Sequence, residues 1–166
     1  MLSVLELLRD RGWYIPDAAI QSGIRAVRWP GRFELLGREP LFILDGGHNP
    51  QCMDALWEAA NTYLAGKELT VVTGVLADKD YDAMYDRTAQ LASRFYTLTP
   101  ANPRALDGRE LARLLKRYGK PVTACVSPGE AVHLALAATP ADGAILAYGS
   151  LYLASELRQA YLETKG

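Results

Sequence analysis

The sequence predicts an α/β fold, a three-layer sandwich in which a mostly parallel sheet of about six strands, with one antiparallel edge strand, carries helices on both faces. Three observations predict it. Short strand-like runs recur at Leu41–Leu44, Leu69–Thr73, Arg94–Leu98, Pro121–Val126 and Ala144–Tyr148, and a segment of helical period follows each. Most of these runs are continuously apolar rather than alternating, which marks strands buried on both faces. Gly, Pro, Asn and Asp punctuate the units, so the connections between parallel strands pass through helices.

The first thirty residues or so stand apart from this pattern. Leu2, Leu5 and Leu8 line one face of a short helix that Gly12 ends. A second helix opens at Pro16 and runs through Ala19, Ile20 and Ile24, weakened by Gly23. Neither finds a partner within the segment, so both are expected to pack on the domain that follows or on something outside this chain. From Trp29 the pattern becomes regular. Arg32–Leu36 and Leu41–Leu44 read as two strands joined by a tight turn at Gly37-Arg38-Glu39-Pro40, the first of them an edge.

The remaining helices follow the same logic. Met53, Leu56, Trp57, Ala60 and Leu64 carry one that Gly66 ends, with Trp57 expected in the core. Tyr81, Met84, Tyr85, Thr88 and Leu91 mark the next. Asp107 with Glu110, and Ser127 with Glu130, have capping-box spacing and open helices through Leu111, Leu114, Leu115 and Tyr118, and through Val132, Ala135 and Leu136. His133 falls on the surface of the latter. Leu153, Leu157 and Tyr161 line a final helix.

Composition bounds the function. At 166 residues the chain suits one domain with a real core and is too short for two ordinary ones. A net charge of −1 and a pI near 6.1 give no electrostatic case for nucleic acid or an anionic membrane as partner. Cys52 and Cys125 lack metal-ligand spacing and read as buried thiols of a cytoplasmic protein rather than a disulfide. No apolar run approaches the roughly 18 residues of a membrane span, and the N-terminus has no signal-peptide pattern.

In a parallel sheet, ligands bind beyond the carboxyl ends of the strands, so the loops after strands carry the chemistry. Those loops bring Asp45, His48, Asp78, Lys79 and Arg104 to one edge. The richest is Leu41-Phe42-Ile43-Leu44-Asp45-Gly46-Gly47-His48-Asn49-Pro50: a buried strand, an acid at its end, two glycines for a sharp turn, then Asn as N-cap and Pro at the first helical position. A carboxylate, an imidazole and free backbone donors at a helix N-terminus suit a phosphorylated ligand. The chain has no G-x-x-x-x-G-K-[ST] loop, no G-x-G-x-x-G fingerprint and no G-x-S-x-G elbow, and His48 and His133 have no companions for a zinc site. A self-contained ATPase, dehydrogenase or esterase is thereby disfavoured, and what remains is half of a site.

Trp29-Pro30-Gly31-Arg32-Phe33-Glu34 followed by Leu44-Asp45-Gly46-Gly47-His48-Asn49-Pro50 resembles the start of the C-terminal domain of folylpolyglutamate synthases, members of the Mur ligase superfamily. Gly74-Val75-Leu76-Ala77-Asp78-Lys79-Asp80, Pro100-Ala101-Asn102-Pro103-Arg104-Ala105-Leu106 and Gly149-Ser150-Leu151-Tyr152-Leu153 resemble that family's later motifs, in the same order. Gly47 stands where the family more often has Ala. The resemblance implies a Rossmann-like domain over residues 30–166, with residues 1–29 the remnant of a preceding ATPase domain and its linker, so that the chain is an excised part of a larger ligase. It implies ATP and Mg²⁺, both held mainly by that N-terminal ATPase domain, which carries the P-loop, the Mg²⁺ ligands and the folate site.

The same resemblance implies that ATP phosphorylates the terminal carboxylate of folate and that L-glutamate attacks the acyl phosphate. Arg32 and Asp45 would contact ATP, the guanidinium through its forked donors and the carboxylate through ribose hydroxyls. His48 would act catalytically, facing the reacting phosphoryl group or the glutamate. Ser150 and Tyr152 would help hold the amino acid, with Asn49 a further substrate contact, and no metal ligand is assigned to this chain. A cytoplasmic monomer that is inactive without its ATPase domain is expected.

Each of these residues also has a structural reading. Arg32 suits a surface strand residue paired with Glu34 or Glu39, Asp45 an Asx turn, His48 the cover of a helix end, and Asn49 and Ser150 helix caps. Asp78, Lys79 and Asp80 suit a solvated loop, and Arg104 a pin for its own loop. A dihydrofolate synthase, alone or bifunctional, stays open, as does a cell-wall precursor ligase, which Asn102-Pro103-Arg104 and Asp78-Lys79-Asp80 disfavour. So does a non-catalytic module binding a small anion or nucleotide.

Overall fold

The computed structural model describes residues 2–165. Two helices, α1 (Leu2–Asp10) and α2 (Asp17–Ala26), precede a six-stranded sheet. The elements that follow are β1 (Glu34–Arg38), β2 (Leu41–Leu44), α3 (Pro50–Tyr63), β3 (Leu69–Thr73), α4 (Tyr81–Leu91), β4 (Ala92–Thr97), α5 (Gly108–Leu115), β5 (Val122–Ala124), α6 (Pro128–Ala138), β6 (Ala144–Tyr148) and α7 (Leu151–Glu163). The sheet order is β1-β2-β6-β3-β4-β5. Only β1 runs antiparallel, against β2.

Side chains alternate across the sheet, so each central strand feeds two cores. Ile43, Val71, Phe95, Leu146 and Tyr148 point to the face covered by α3, α4 and α5, while Phe42, Leu44, Val72, Tyr96, Ile145 and Ala147 point to the face covered by α6 and α7. Every residue of β3 and β6 is buried. That explains why these strands read as continuous apolar runs. The polar exceptions inside are all satisfied: Thr73 meets the Tyr85 hydroxyl at 2.7 Å, Thr88 meets Tyr148 at 2.7 Å, and Thr139 donates to Thr70 at 2.7 Å.

The helix starts obey capping chemistry. Asn49, Asp80, Asp107, Ser127 and Ser150 each accept a backbone N–H from the first turn of the helix they precede. Each such cap contributes about 1 kcal/mol.

Four differences from the sequence reading have physical causes. β1 starts two residues later than Arg32, because Gly31 and Phe33 have positive φ (70° and 42°) and hold the chain out of strand geometry. The expected four-residue turn contracts, since Gly37 and Arg38 pair with Phe42 and Leu41 across a bulge. β5 is a short edge strand, and Cys125 lies just beyond it, buried. Trp57 is half-buried at the rim, with Arg87 over its ring at 5.8 Å, rather than in the core. His133 is exposed, and both cysteines are free thiols.

Helices α1 and α2 contribute no buried residue. They share an apolar groove lined by Leu5, Ile15, Ala19, Ile20 and Ile24, and Arg9 ties them by an ion pair to Asp17 at 2.6 Å. Leu2, Val4, Leu7, Trp13 and Tyr14 remain exposed. Among the described residues no helix is long and apolar enough to cross a membrane.

Candidate nucleotide-facing site

Strand order decides where the site lies. β2 and β6 are parallel neighbours, yet α3 leaves β2 toward one face and α7 leaves β6 toward the other. Their carboxyl ends therefore open a crevice, the place where α/β sheets receive ligands. The two loops are stitched together across it. Asp45 N–H donates to the Ala147 carbonyl at 2.8 Å, and Gly149 N–H donates to the Gly47 carbonyl at 2.9 Å. Gly149 has φ 116°, and a side chain there would meet the Gly74 carbonyl oxygen at 2.7 Å and Thr73 Oγ1 at 2.8 Å. Only glycine fits both the conformation and the space.

Asp45 is half-buried, and each of its carboxylate oxygens accepts one backbone N–H. Its Oδ1 accepts from Gly47 N–H at 2.6 Å, closing an Asx turn, and its Oδ2 accepts from Phe33 N–H at 2.8 Å. The Asx-turn reading is thus realised. A carboxylate oxygen can accept twice, so each keeps acceptor capacity toward the crevice. The second bond also holds Phe33 in the left-handed region, which costs a non-glycine residue on the order of 1–2 kcal/mol. Phe33 is further held by its ring, which packs on Tyr63 with centroids 5.8 Å apart.

Arg32 lies between Gly31 and Phe33 on this short loop and is exposed. Among the described residues its guanidinium forms no ion pair or hydrogen bond; Glu34, one of its expected partners, binds Arg158 instead, at 3.0 Å. Arg32, Phe33, Asp45, Cys52 and Leu56 line a groove of about 280 Å³ along the start of α3. An unpaired forked cation next to a carboxylate in an open groove suits a ligand with phosphate and hydroxyl groups.

His48 is half-buried, and its Nδ1 lies 2.9 Å from the Gly46 carbonyl oxygen. A carbonyl only accepts, so Nδ1 carries the proton and Nε2 is left to act outward. Asn49 Oδ1 accepts from Cys52 N–H at 2.9 Å, and Ser150 Oγ accepts from Tyr152 N–H at 3.2 Å. Both are caps, and Ser150 is buried, whereas Tyr152 is about half exposed on the first turn of α7.

The other charged residues of the edge pair with one another. Asp78 lies 3.7 Å from Lys79 and 3.5 Å from Arg104. Their loops are joined by a bridge between Leu76 and Ala105, with Ala77 N–H donating to the Arg104 carbonyl at 2.8 Å. Among the described residues no ion pair links this group to Asp45 or His48, and no cluster of three His, Cys, Asp or Glu could hold a metal ion.

The family described as Mur ligase, glutamate ligase domain matches residues 31–151. The chain belongs to that family. Among curated relatives of this Mur ligase domain, the folylpolyglutamate synthase of Lacticaseibacillus casei is 38% identical over 154 residues, covering 92% of this chain and 34% of that protein. The dihydrofolate synthase/folylpolyglutamate synthase of Bacillus subtilis is 29% identical over 146 residues, covering 88% of this chain and 34% of that protein. Among solved structures, the Mycobacterium tuberculosis folylpolyglutamate synthase complexed with ADP and AMPPCP superposes with a TM-score of 0.79 at 26% identity, over 90% of this chain and 36% of that one. The Mur ligase domain described here spans about a third of the length of these relatives.

Sequence reasoning placed Asp45, His48, Asn49 and Ser150 on strand-end loops, with Arg32 and Tyr152 added by the resemblance; the structure joins the Asp45–Asn49 loop to the Gly149–Ser150 loop, and Arg32 shares a groove with Asp45. It missed Phe33, Cys52 and Arg158. Phe33 carries no sequence signal for a positive φ. Cys52 was legible as a first-turn residue of α3 but not as a groove wall. Arg158 lies 124 positions from Glu34, a pairing no local pattern reveals.

Proposed function

We propose that this domain is the smaller half of the active site of an ATP-dependent folylpolyglutamate synthase, which adds L-glutamate to folate through an acyl phosphate. The observation that carries the reading is the groove that Arg32, whose guanidinium is unpaired among the described residues, lines together with Asp45. The relatives' names supply the substrate class, and the complexes of the M. tuberculosis protein support a nucleotide ligand. In this reading Arg32 binds phosphate oxygens, Asp45 accepts from ribose hydroxyls while holding the Arg32 loop, and His48 Nε2 faces the reacting phosphoryl group or the incoming glutamate. Transfer is then a matter of positioning and charge stabilisation. Ser150, Tyr152 and Asn49 stand beside the amino-acid end, Ser150 and Asn49 acting through backbone they cap.

The donor set fits ATP better than it fits a resident metal. Asp45 spends its strongest acceptor directions on backbone, so Mg²⁺ would be held by the nucleotide and by residues of an N-terminal ATPase domain. Residues 1–29 belong with that domain in this reading: α1 and α2 bury nothing, while the sheet domain builds its own core from residue 30 onward. We place the ligase in the cytoplasm as a monomer. A second activity, dihydrofolate synthesis, is supported by the joint name of the B. subtilis relative.

The test compares the 166-residue chain with the whole ligase that contains it. ADP release that depends on both a folate and L-glutamate is expected from the ligase and not from the chain alone. Turnover by the chain alone would sink the shared-site reading, and glutamate-independent behaviour of the ligase with every folate would sink the substrate assignment. Replacing folate by dihydropteroate separates the second activity.

A further inference from the structure

The loop that presents Arg32 is tied at every turn. Gly31 N–H donates to Glu34 Oε2 at 2.9 Å, and the Gly31 carbonyl accepts from Gly46 N–H at 2.7 Å. Arg32 N–H donates to the Trp29 carbonyl at 3.2 Å, and Phe33 N–H donates to Asp45 at 2.8 Å. With Gly31 at φ 70° and Phe33 at φ 42°, the backbone reverses its twist on both sides of Arg32 and turns that side chain out of the packed surface. Such a conformation persists only where surrounding contacts over-determine it.

Glu34 joins this loop to the opposite layer of the sandwich. Its side chain is 18% exposed; Oε2 accepts from Gly31 N–H, and Oε1 accepts from Arg158 Nε at 3.0 Å. Arg158 sits on α7, whose N-terminus, capped by Ser150, opens into the same crevice. We propose that Glu34 and Arg158 are positioning residues that set where the Arg32 guanidinium stands, and so tune ATP affinity without touching the nucleotide. The inference rests on Arg32 contacting ATP.

The chemistry dictates the variant. Glutamine is nearly isosteric with Glu34 but sets an NH2 donor where one carboxylate oxygen stands, so in either orientation E34Q turns a donor toward the Gly31 N–H or toward Arg158 Nε. In the whole ligase, E34Q and R158M should each raise KM for ATP by roughly fivefold, leaving KM for glutamate unchanged, because a small misplacement of a binding group weakens its own ligand first. R158K, which keeps a cation against Glu34, should stay within about twofold of the parent. In an R32A background, E34Q should have no further effect on KM for ATP.

Thermal unfolding of each variant accompanies the kinetics. Full additivity of E34Q with R32A, or equal losses in both KM values and kcat together with a lowered Tm, would show a merely structural pair and overturn the proposal. If R32A weakens ATP use while E34Q and R158M do not, positioning fails and the nucleotide reading stands. If R32A itself leaves ATP kinetics at the parent level, the nucleotide reading fails, and positioning falls with it.

Discussion

Asp45 Oδ2 accepts the backbone N–H of Phe33 at 2.8 Å, a bond that spans 12 positions and fastens the loop before β1 to the loop after β2. One carboxylate therefore shapes its own turn through Gly47 and holds the neighbour of Arg32 in place. Removing it is expected to disturb the Arg32 loop and the turn after β2 together.

Asp45→Ala is expected to leave the Phe33 and Gly47 N–H groups without acceptors, costing about 1–3 kcal/mol of stability each where water cannot replace them. In the whole ligase it should also lower kcat/KM for ATP at least tenfold, about 1.4 kcal/mol. Denaturant titration and steady-state kinetics on the same preparation check both. A variant with parent kinetics would return Asp45 to a turn role alone.

Arg32→Ala should separate the two effects. Arg32 is exposed and its guanidinium forms no ion pair or hydrogen bond among the described residues, so Tm should hold within experimental error. kcat/KM for ATP should still fall at least tenfold, about 1.4 kcal/mol.

His48 has one ring nitrogen committed to structure. In His48→Asn the side-chain amide can still donate to the Gly46 carbonyl from near the Nδ1 position, but nothing replaces Nε2. The loop should survive, seen as an unchanged Tm, while kcat falls by roughly 10²-fold or more with KM for ATP little altered. Full activity in this variant would remove His48 from the chemistry.

Gly149→Ala tests the crevice floor. The new methyl would meet the Gly74 carbonyl oxygen at 2.7 Å, backbone that cannot swing aside, in a conformation L residues avoid. A loss of about 1–3 kcal/mol from overpacking is expected, with backbone strain added to it. Urea unfolding gives the value, and a neutral result would mean that β3 and β6 separate more easily at their ends than their pairing implies.

Stability should fall in alkali. Burial pushes the Cys125 thiol up to about 11 from 9.0, with the Glu130 charge adding to it. Burial also holds the Tyr85 and Tyr148 hydroxyls above their ordinary range. In each case the folded state favours the neutral form, so the unfolded chain releases protons first. Stability is complete below about pH 9 and is lost as pH rises through 9 to 11 for Cys125, with the tyrosines adding above 10. Denaturant midpoints across this range check the sign, and Cys125→Ala should flatten the first part of the decline.

Much of the architecture was legible because it is local. β2, β3 and β6 begin and end where their apolar runs do, since burial on both faces leaves no ambiguity of period. The helix starts at Asn49, Asp107, Ser127 and Ser150 follow from side chains that bond a backbone donor two or three positions on. β1 was displaced because its start is set by positive φ at Gly31 and Phe33, held from the far side of the crevice by Gly46 and Asp45.

The sequence by itself determined that this is a doubly covered, mostly parallel sheet, which polar loops follow its strands, and that the chain carries no G-x-x-x-x-G-K-[ST] motif. Tertiary structure alone decided which side chains of those loops meet. It paired Asp78 with Lys79 and Arg104, and Glu34 with Arg158 across 124 positions, and left the Arg32 guanidinium with no ion pair or hydrogen bond among the described residues. Periodicity and capping act over a few residues and can be read along the chain. Ion pairs and crevices depend on which strands become neighbours, and the insertion of β6 between β2 and β3 is settled by the packing of the whole core.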